Sequence, residues 1–167
     1  NNLALTVVNS VLVRAILPMA AIGVAAFAAE RGMGVLNIFP LPQAWAIVVS
    51  VLVLDAAIYL QHLMFHAVPL FWRLHRVHHA DVDFDVTTGA RFHPIEIALS
   101  MLIKFAVILV LGPPAVAVLI FEVLLNATSM FNHSNVRLPL ALDQVLRLFV
   151  VTPDMHRVHH SVIARET

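Results

Sequence analysis

The sequence predicts an all-α integral membrane protein: four transmembrane or deeply inserted helices in two hairpins, topped by a cytoplasmic histidine-rich cap. Three observations lead there. Of 167 residues, 60% are hydrophobic and 12% charged, with a mean hydropathy of +0.90, well outside the range of soluble domains. Four long apolar stretches show almost no polar face, which a helix of a soluble bundle would need. All ten histidines stand at or beyond the ends of those stretches.

The first stretch, 3–29, is interrupted only by Arg14 and Pro18 and is long enough to cross with tilt. After the turn region "FPLPQ" comes Ala44 to Leu60, read as a segment over 44–62, with Trp45 placed as an interfacial anchor and a single charge at Asp55. Segments 95–111 and 115–131 follow, separated by Gly112, Pro113 and Pro114, a strong break between antiparallel helices. These last three lie near the short limit, about 17–20 residues for ~30 Å of hydrocarbon, so flanking residues extend them or they penetrate part way. One domain, 1–167, accommodates the whole. The opening "NNLALTVV" without Met and the ending "ARET" lead us to expect a piece of a longer reading frame.

If four segments cross, the histidine-rich regions 62–93 and 133–160 share one membrane face. The same loops carry Arg73, Arg76, Arg91, Arg137, Arg147, Arg157 and Arg165, whereas the opposite loops carry Arg31, and this asymmetry predicts a cytoplasmic face. Balanced formal charge leaves no footprint for nucleic acid. Without cysteine, a metal must be held by nitrogen or oxygen.

The histidine spacing reads as ligand chemistry. His62 and His66 stand four apart, and "HRVHH" occurs twice, as His75, His78 and His79 and as His156, His159 and His160, so on helices each group projects from one face. One ion is satisfied by four to six ligands, so this many imidazoles suit two neighbouring ions. "HLMFH" lacks the Glu of a zinc peptidase motif, the clustering is wrong for bis-histidine haem, and midplane ligands of a transporter are few.

"HLMFH", "WRLHRVHH", "TTGARFHPIE", "FNHSNVRLP" and "VTPDMHRVHHS", in that order around a hydrophobic hairpin, resemble the fatty acid hydroxylase superfamily, which includes sterol desaturases and sphingolipid hydroxylases. The resemblance covers residues 55–162 and is specific as a set. It implies an O2-dependent di-iron enzyme that hydroxylates or desaturates a lipid, acting on a fatty acyl, sterol or related C–H bond, with electrons from an external electron-transfer protein. Its metal ligands fall on His62, His66, His75, His78, His79, His156, His159 and His160, and the match to "HSN" adds His133. Two iron ions are the implied cofactors, and a purified sample can carry zinc. From another class, the alternative is a non-catalytic histidine-rich metal-binding membrane protein.

Partners for the outer ring nitrogens are sought at Asp55, two turns before His62, and at Glu122 and Asn126 before His133, with an interhelical hydrogen bond as their competing use. Asp154 is expected to cap its helix, His93 to cap the helix at Pro94 or touch substrate, and Asp81, Asp83 and Asp85 to form a solvated connector. Phe71 and Trp72 beside Arg73 suggest an interfacial belt, and Met64 and Phe65 ordinary packing rather than a channel wall.

Overall fold

A computed structural model describes residues 2–16, 20–81 and 83–161. Pro18 and Arg165, used above, lie outside the described residues. The chain is all-helical, with no strand among the described residues. In order it forms α1 (Asn2–Ile16), α2 (Ala21–Glu30), α3 (Val35–Ile38), α4 (Gln43–Ala67), α5 (Pro69–His79), a 3-10 turn (Thr88–Ala90), α6 (Pro94–Leu111), α7 (Ala115–Asn132), α8 (Leu140–Leu146) and α9 (Pro153–His159).

Among the described residues, four segments are long and apolar enough to cross a membrane: Ala21–Ile38, Gln43–Ala67, Pro94–Leu111 and Ala115–Asn132. The first differs from the expected continuous stretch 3–29. Two helices, α1 and α2, replace it, and the candidate span begins at Ala21 and runs through α3. The second is longer than expected. "HLMFHA" carries the helical pattern on to Ala67, and Pro69 stops it by forcing Val68 into extended backbone (φ −98, ψ 118), while Pro69 itself starts α5 at N1. His62 and His66 therefore ride on the last turns of a membrane helix.

Packing runs crosswise. α2 lies against α6 and α7, and α4 lies against the same two helices, so among the spans the close contacts join the first half of the bundle to the second, while α5 packs back on α4. Ala21, Val24, Ala25, Leu54, Ile108, Val118 and Phe121 form the buried centre. The outer faces stay apolar, with Leu52, Tyr59, Leu60, Val110 and Val123 exposed, as a lipid-facing surface requires. At the end away from the histidines the chain turns tightly: Gly112 takes a left-handed conformation (φ 66), and a Cβ on Gly34 would stand 2.3 Å from the Gly112 amide nitrogen.

At the histidine end, Asn2 of α1 is tied to the loop before α6. Its side-chain amide donates to Asp81 at 2.6 Å and to Thr87 at 2.9 Å, and its oxygen accepts from Arg91 at 3.0 Å. Of the aspartates expected as a solvated connector, Asp83 is exposed, whereas Asp81 and Asp85 are structured, since Thr88 also donates to Asp81 at 2.7 Å and Thr87 to Asp85 at 2.7 Å.

Candidate metal centre

Three helical pieces and one helix end bring nine histidines together. α4 presents His62 and His66, α5 presents His75, His78 and His79, the C-terminus of α7 presents His133, and α9 with its C-cap presents His156, His159 and His160. On α5 and α9 the three-and-four spacing aims the leading and trailing histidines inward, as the sequence required. His93 stays out of the cluster: its Nδ1 accepts the Ile95 amide at 3.2 Å and caps α6.

Eight of these imidazoles divide into two sets whose ligating nitrogens lie within 4.8 Å of one another: His62, His66, His75 and His159, and His78, His133, His156 and His160. His79 stands between the sets, its ring 4.8 Å from those of His66 and His159 and stacked 4.2 Å from that of His160. The two "HRVHH" copies do not each build one set. His75 and His159 go to the first, and His78, His156 and His160 to the second.

The tautomers follow from the outer partners. His75 Nδ1 meets Glu96 Oε1 at 2.6 Å, with both groups buried. His78 Nδ1 donates to the Thr88 carbonyl at 3.1 Å, and His133 Nδ1 donates to the Ser129 carbonyl at 2.8 Å, because a carbonyl oxygen can only accept. Each ring then carries a lone pair on Nε2. Yet His133 Nε2 lies 3.2 Å from His78 Nε2 and 2.9 Å from His156 Nε2, and His62 Nε2 lies 3.0 Å from His159 Nε2. In addition, Nε2 of His66, His75, His79 and His160 is buried with no hydrogen-bond partner among the described residues.

Protonation does not relieve this crowding. Burial, reinforced by the neighbouring imidazoles, holds His78, His79, His156 and His159 below the usual histidine range and lowers His160 to about 3. For His133 burial is the lowering cause. Neutral rings with lone pairs facing one another fit cations. Nitrogens that share one ion come to about 3 Å of one another, close to the 2.9–3.2 Å seen between these Nε2 atoms.

Several supports differ from the expected ones. Asp55 lies two turns from His62 on α4, but it is exposed and forms no hydrogen bond with a histidine among the described residues. Glu122 pairs with Lys104 at 2.7 Å, and Asn126 donates to the Glu122 carbonyl at 2.8 Å, so neither serves His133. Asp154 pairs with Arg157 at 2.7 Å, and Thr152 caps α9 instead. Sequence reasoning missed Glu96 and the aromatic walls: Phe92 stacks 4.4 Å from His78, and Phe84 lies 5.6 Å from His133. Trp72 covers His66 and His79 at 5.3 Å, and Phe65 is buried against Phe71, the ordinary packing expected of Phe65.

The profile of the family described as Fatty acid hydroxylase matches residues 47–166. Ornithine lipid hydroxylase OlsE of Rhizobium tropici is 26% identical over 125 residues, covering 75% of this chain and 37% of that protein. Alkylglycerol monooxygenase of Homo sapiens is 31% identical over 127 residues, covering 74% of this chain and 27% of its own length. The Xenopus tropicalis alkylglycerol monooxygenase is 27% identical over 126 residues, 72% of this chain and 26% of that one. This chain thus spans about a quarter to two fifths of the length of these relatives. No solved structure matches it significantly.

Proposed function

The chain belongs to the fatty acid hydroxylase family, and from that premise we propose that its two histidine sets hold two iron ions at which a membrane lipid is hydroxylated with O2. The observation that carries this reading is the pair of Nε2 atoms on His78 and His133, both bearing lone pairs and 3.2 Å apart in a buried site. His62, His66, His75 and His159 would hold one ion and His78, His133, His156 and His160 the other, with His79 between them. When bound, redox-active iron supplies O2 activation, and the overall change is RH + O2 + two electrons + two protons to ROH + H2O.

The chain's own groups prepare that centre. Depressed basicity keeps the imidazoles outside the spans neutral near pH 7, so their lone pairs are available. Glu96, the Thr88 carbonyl and the Ser129 carbonyl fix the Nδ1–H tautomer and ring orientation of His75, His78 and His133. Phe84, Phe92 and Trp72 cover the rings and limit water. Because His62 and His66 lie inside the span Gln43–Ala67, the centre sits at the membrane boundary, within lateral reach of a lipid.

Two relatives are named for a hydroxylase and a monooxygenase, which favours oxygen insertion over desaturation and an amphiphilic lipid over a soluble substrate. The two electrons must be delivered from outside these 167 residues, for which an external electron-transfer protein is the proposed source. The arginine-rich histidine face is cytoplasmic by the positive-inside rule, and a thiol introduced at Asp83 should be inaccessible to membrane-impermeant reagents from outside intact cells. The deciding experiment is elemental analysis of the gently purified full chain with an O2- and reductant-dependent lipid product assay. Two irons per chain and a hydroxylated lipid are expected. One metal per chain would refute the two-ion assignment, and two metals without any O2-dependent product would support the non-catalytic alternative.

A further inference from the structure

Between α7 and α9 the chain exposes apolar side chains where a water-facing cap should be polar. Leu140 is 70% exposed, Leu148 75% and Phe149 80%, with Val145 also exposed. The inner side of this arm is the opposite. Asp143 is buried and paired with Arg147, which fastens the short helix α8 to the turn after it.

The depth of the arm is fixed at both ends. It leaves the span Ala115–Asn132 through His133, and it enters α9, whose His156 Nε2 lies 2.9 Å from His133 Nε2 and whose His159 Nε2 lies 3.0 Å from His62 Nε2 within the span Gln43–Ala67. α9 is therefore pinned at the level where two spans end. Phe149 precedes Pro153 by four residues, a reach of at most roughly 14 Å, comparable to the headgroup layer and the first part of the acyl region.

We propose that residues 136–151 form an interfacial membrane anchor, with Leu148 and Phe149 inserted among lipid chains and Arg137 at the headgroup level. Three features select lipid as the occupant. The arm is tied at both ends to helices that meet where the spans end, and its exposed side chains are apolar like those the spans expose. Leu148 and Phe149 project from a turn rather than forming a concave patch, and fluid acyl chains fit such projections without a matching pocket. Arg137 is exposed without an ion-pair partner among the described residues, which suits phosphate or anionic headgroups.

The test uses the absence of cysteine from these 167 residues. Phe149→Cys, Leu148→Cys and, as the aqueous control, Asp83→Cys are made one at a time in the full chain. Any cysteine elsewhere in the full chain is replaced first, and each variant is checked for unchanged metal content. Each is labelled with an environment-sensitive fluorophore and reconstituted in phosphatidylcholine/phosphatidylglycerol vesicles. The expected result at residues 148 and 149 is quenching by shallow spin-labelled lipid about threefold or more above that at residue 83, with aqueous iodide giving the reverse order. Equal iodide quenching at residues 149 and 83 would overturn the proposal by placing the arm in water. Protection from both quenchers would overturn it in favour of a covering protein surface.

Discussion

The two copies of "HRVHH" share five residues and almost nothing of their surroundings. In the first, on α5, His75 and His78 are buried and their outer nitrogens are held by Glu96 and by the Thr88 carbonyl. In the second, on α9, the Nε2 atoms of His156 and His159 meet those of other histidines, and the helix is a seven-residue piece capped by Thr152. A sequence repeat here is not a structural repeat. One copy is a rigid wall fixed to the helical body, and the other closes over it. Because each copy also contributes to both histidine sets, neither set can form without the two together.

The largest effect that tests this division is loss of either copy. Replacing His78 or His159 by Ala is expected to lower the metal occupancy of the set that loses its imidazole and to reduce lipid product at least about 100-fold, since the two ions would act as a unit. His78→Ala empties part of the second set and His159→Ala part of the first, so metal-specific spectroscopy should distinguish them. Full metal content and full product with His159→Ala would make the second copy ornamental.

Next in size is the carboxylate that only the first copy possesses. Glu96→Gln keeps the shape but replaces a charged acceptor at 2.6 Å from His75 with a neutral amide, and metal affinity should fall roughly 10–100-fold. Competition with a chelator measures this directly. Asp154→Asn, at the corresponding end of the second copy, should leave affinity unchanged because Asp154 pairs with Arg157 and not with a histidine. Similar losses from both substitutions would erase the proposed asymmetry.

That asymmetry marks what the sequence could and could not convey. Spans over α4, α6 and α7 are legible because apolar runs and breakers such as "GPP" and Pro69 act locally, and the nine histidines are legible because helical spacing is local too. Spacing supplies an azimuth but not what covers it, which is why Asp55 aligns with His62 and yet stays exposed. Glu96 belongs to the first turn of α6, and only the folding of that turn beneath α5 brings it to His75. The crosswise packing of α2 and α4 against α6 and α7 is likewise a tertiary choice. The break between α1 and α2 is seen at Ala20, whose backbone is extended (φ −71, ψ 160), and the apolar run of the sequence passes straight through it.

Acid should separate the two copies in the metal-free chain. The cap histidines have folded values below the ordinary 6.5, so the unfolded form binds more protons between that value and the folded ones, about 3 for His160. Stability from these neutral rings is complete above about 6.5 and declines as pH falls through that window. Hydrogen exchange at pH 5 against pH 7 should show α9 opening before α5, which is additionally anchored by Arg91 donating to the Val77 carbonyl at 2.9 Å. Simultaneous opening would mean that the anchors on the first copy do not set local stability.

The smallest effect concerns the arginines at matching places in the two copies. Arg76 and Arg157 each follow the leading histidine by one residue, about 100° around the helix, and so turn away from the histidine sets. Arg76 is exposed and has no ion-pair partner among the described residues, whereas Arg157 meets Asp154 at 2.7 Å with a side chain 37% exposed. An exposed pair of this kind contributes about 0–1 kcal/mol. Arg76→Gln should therefore leave thermal stability unchanged, and Arg157→Gln should lower it by no more than about 1 kcal/mol. A double-mutant cycle with Asp154→Asn should separate the share of that pair from the share of the Val136 carbonyl, which Arg157 also reaches at 3.5 Å. Metal content should be the same in both variants, because neither guanidinium supports an imidazole. If Arg157→Gln instead stripped metal, the second copy would be positioned by its own ion pair, and the contrast between a fixed wall and a closing flap would have to be redrawn around Asp154.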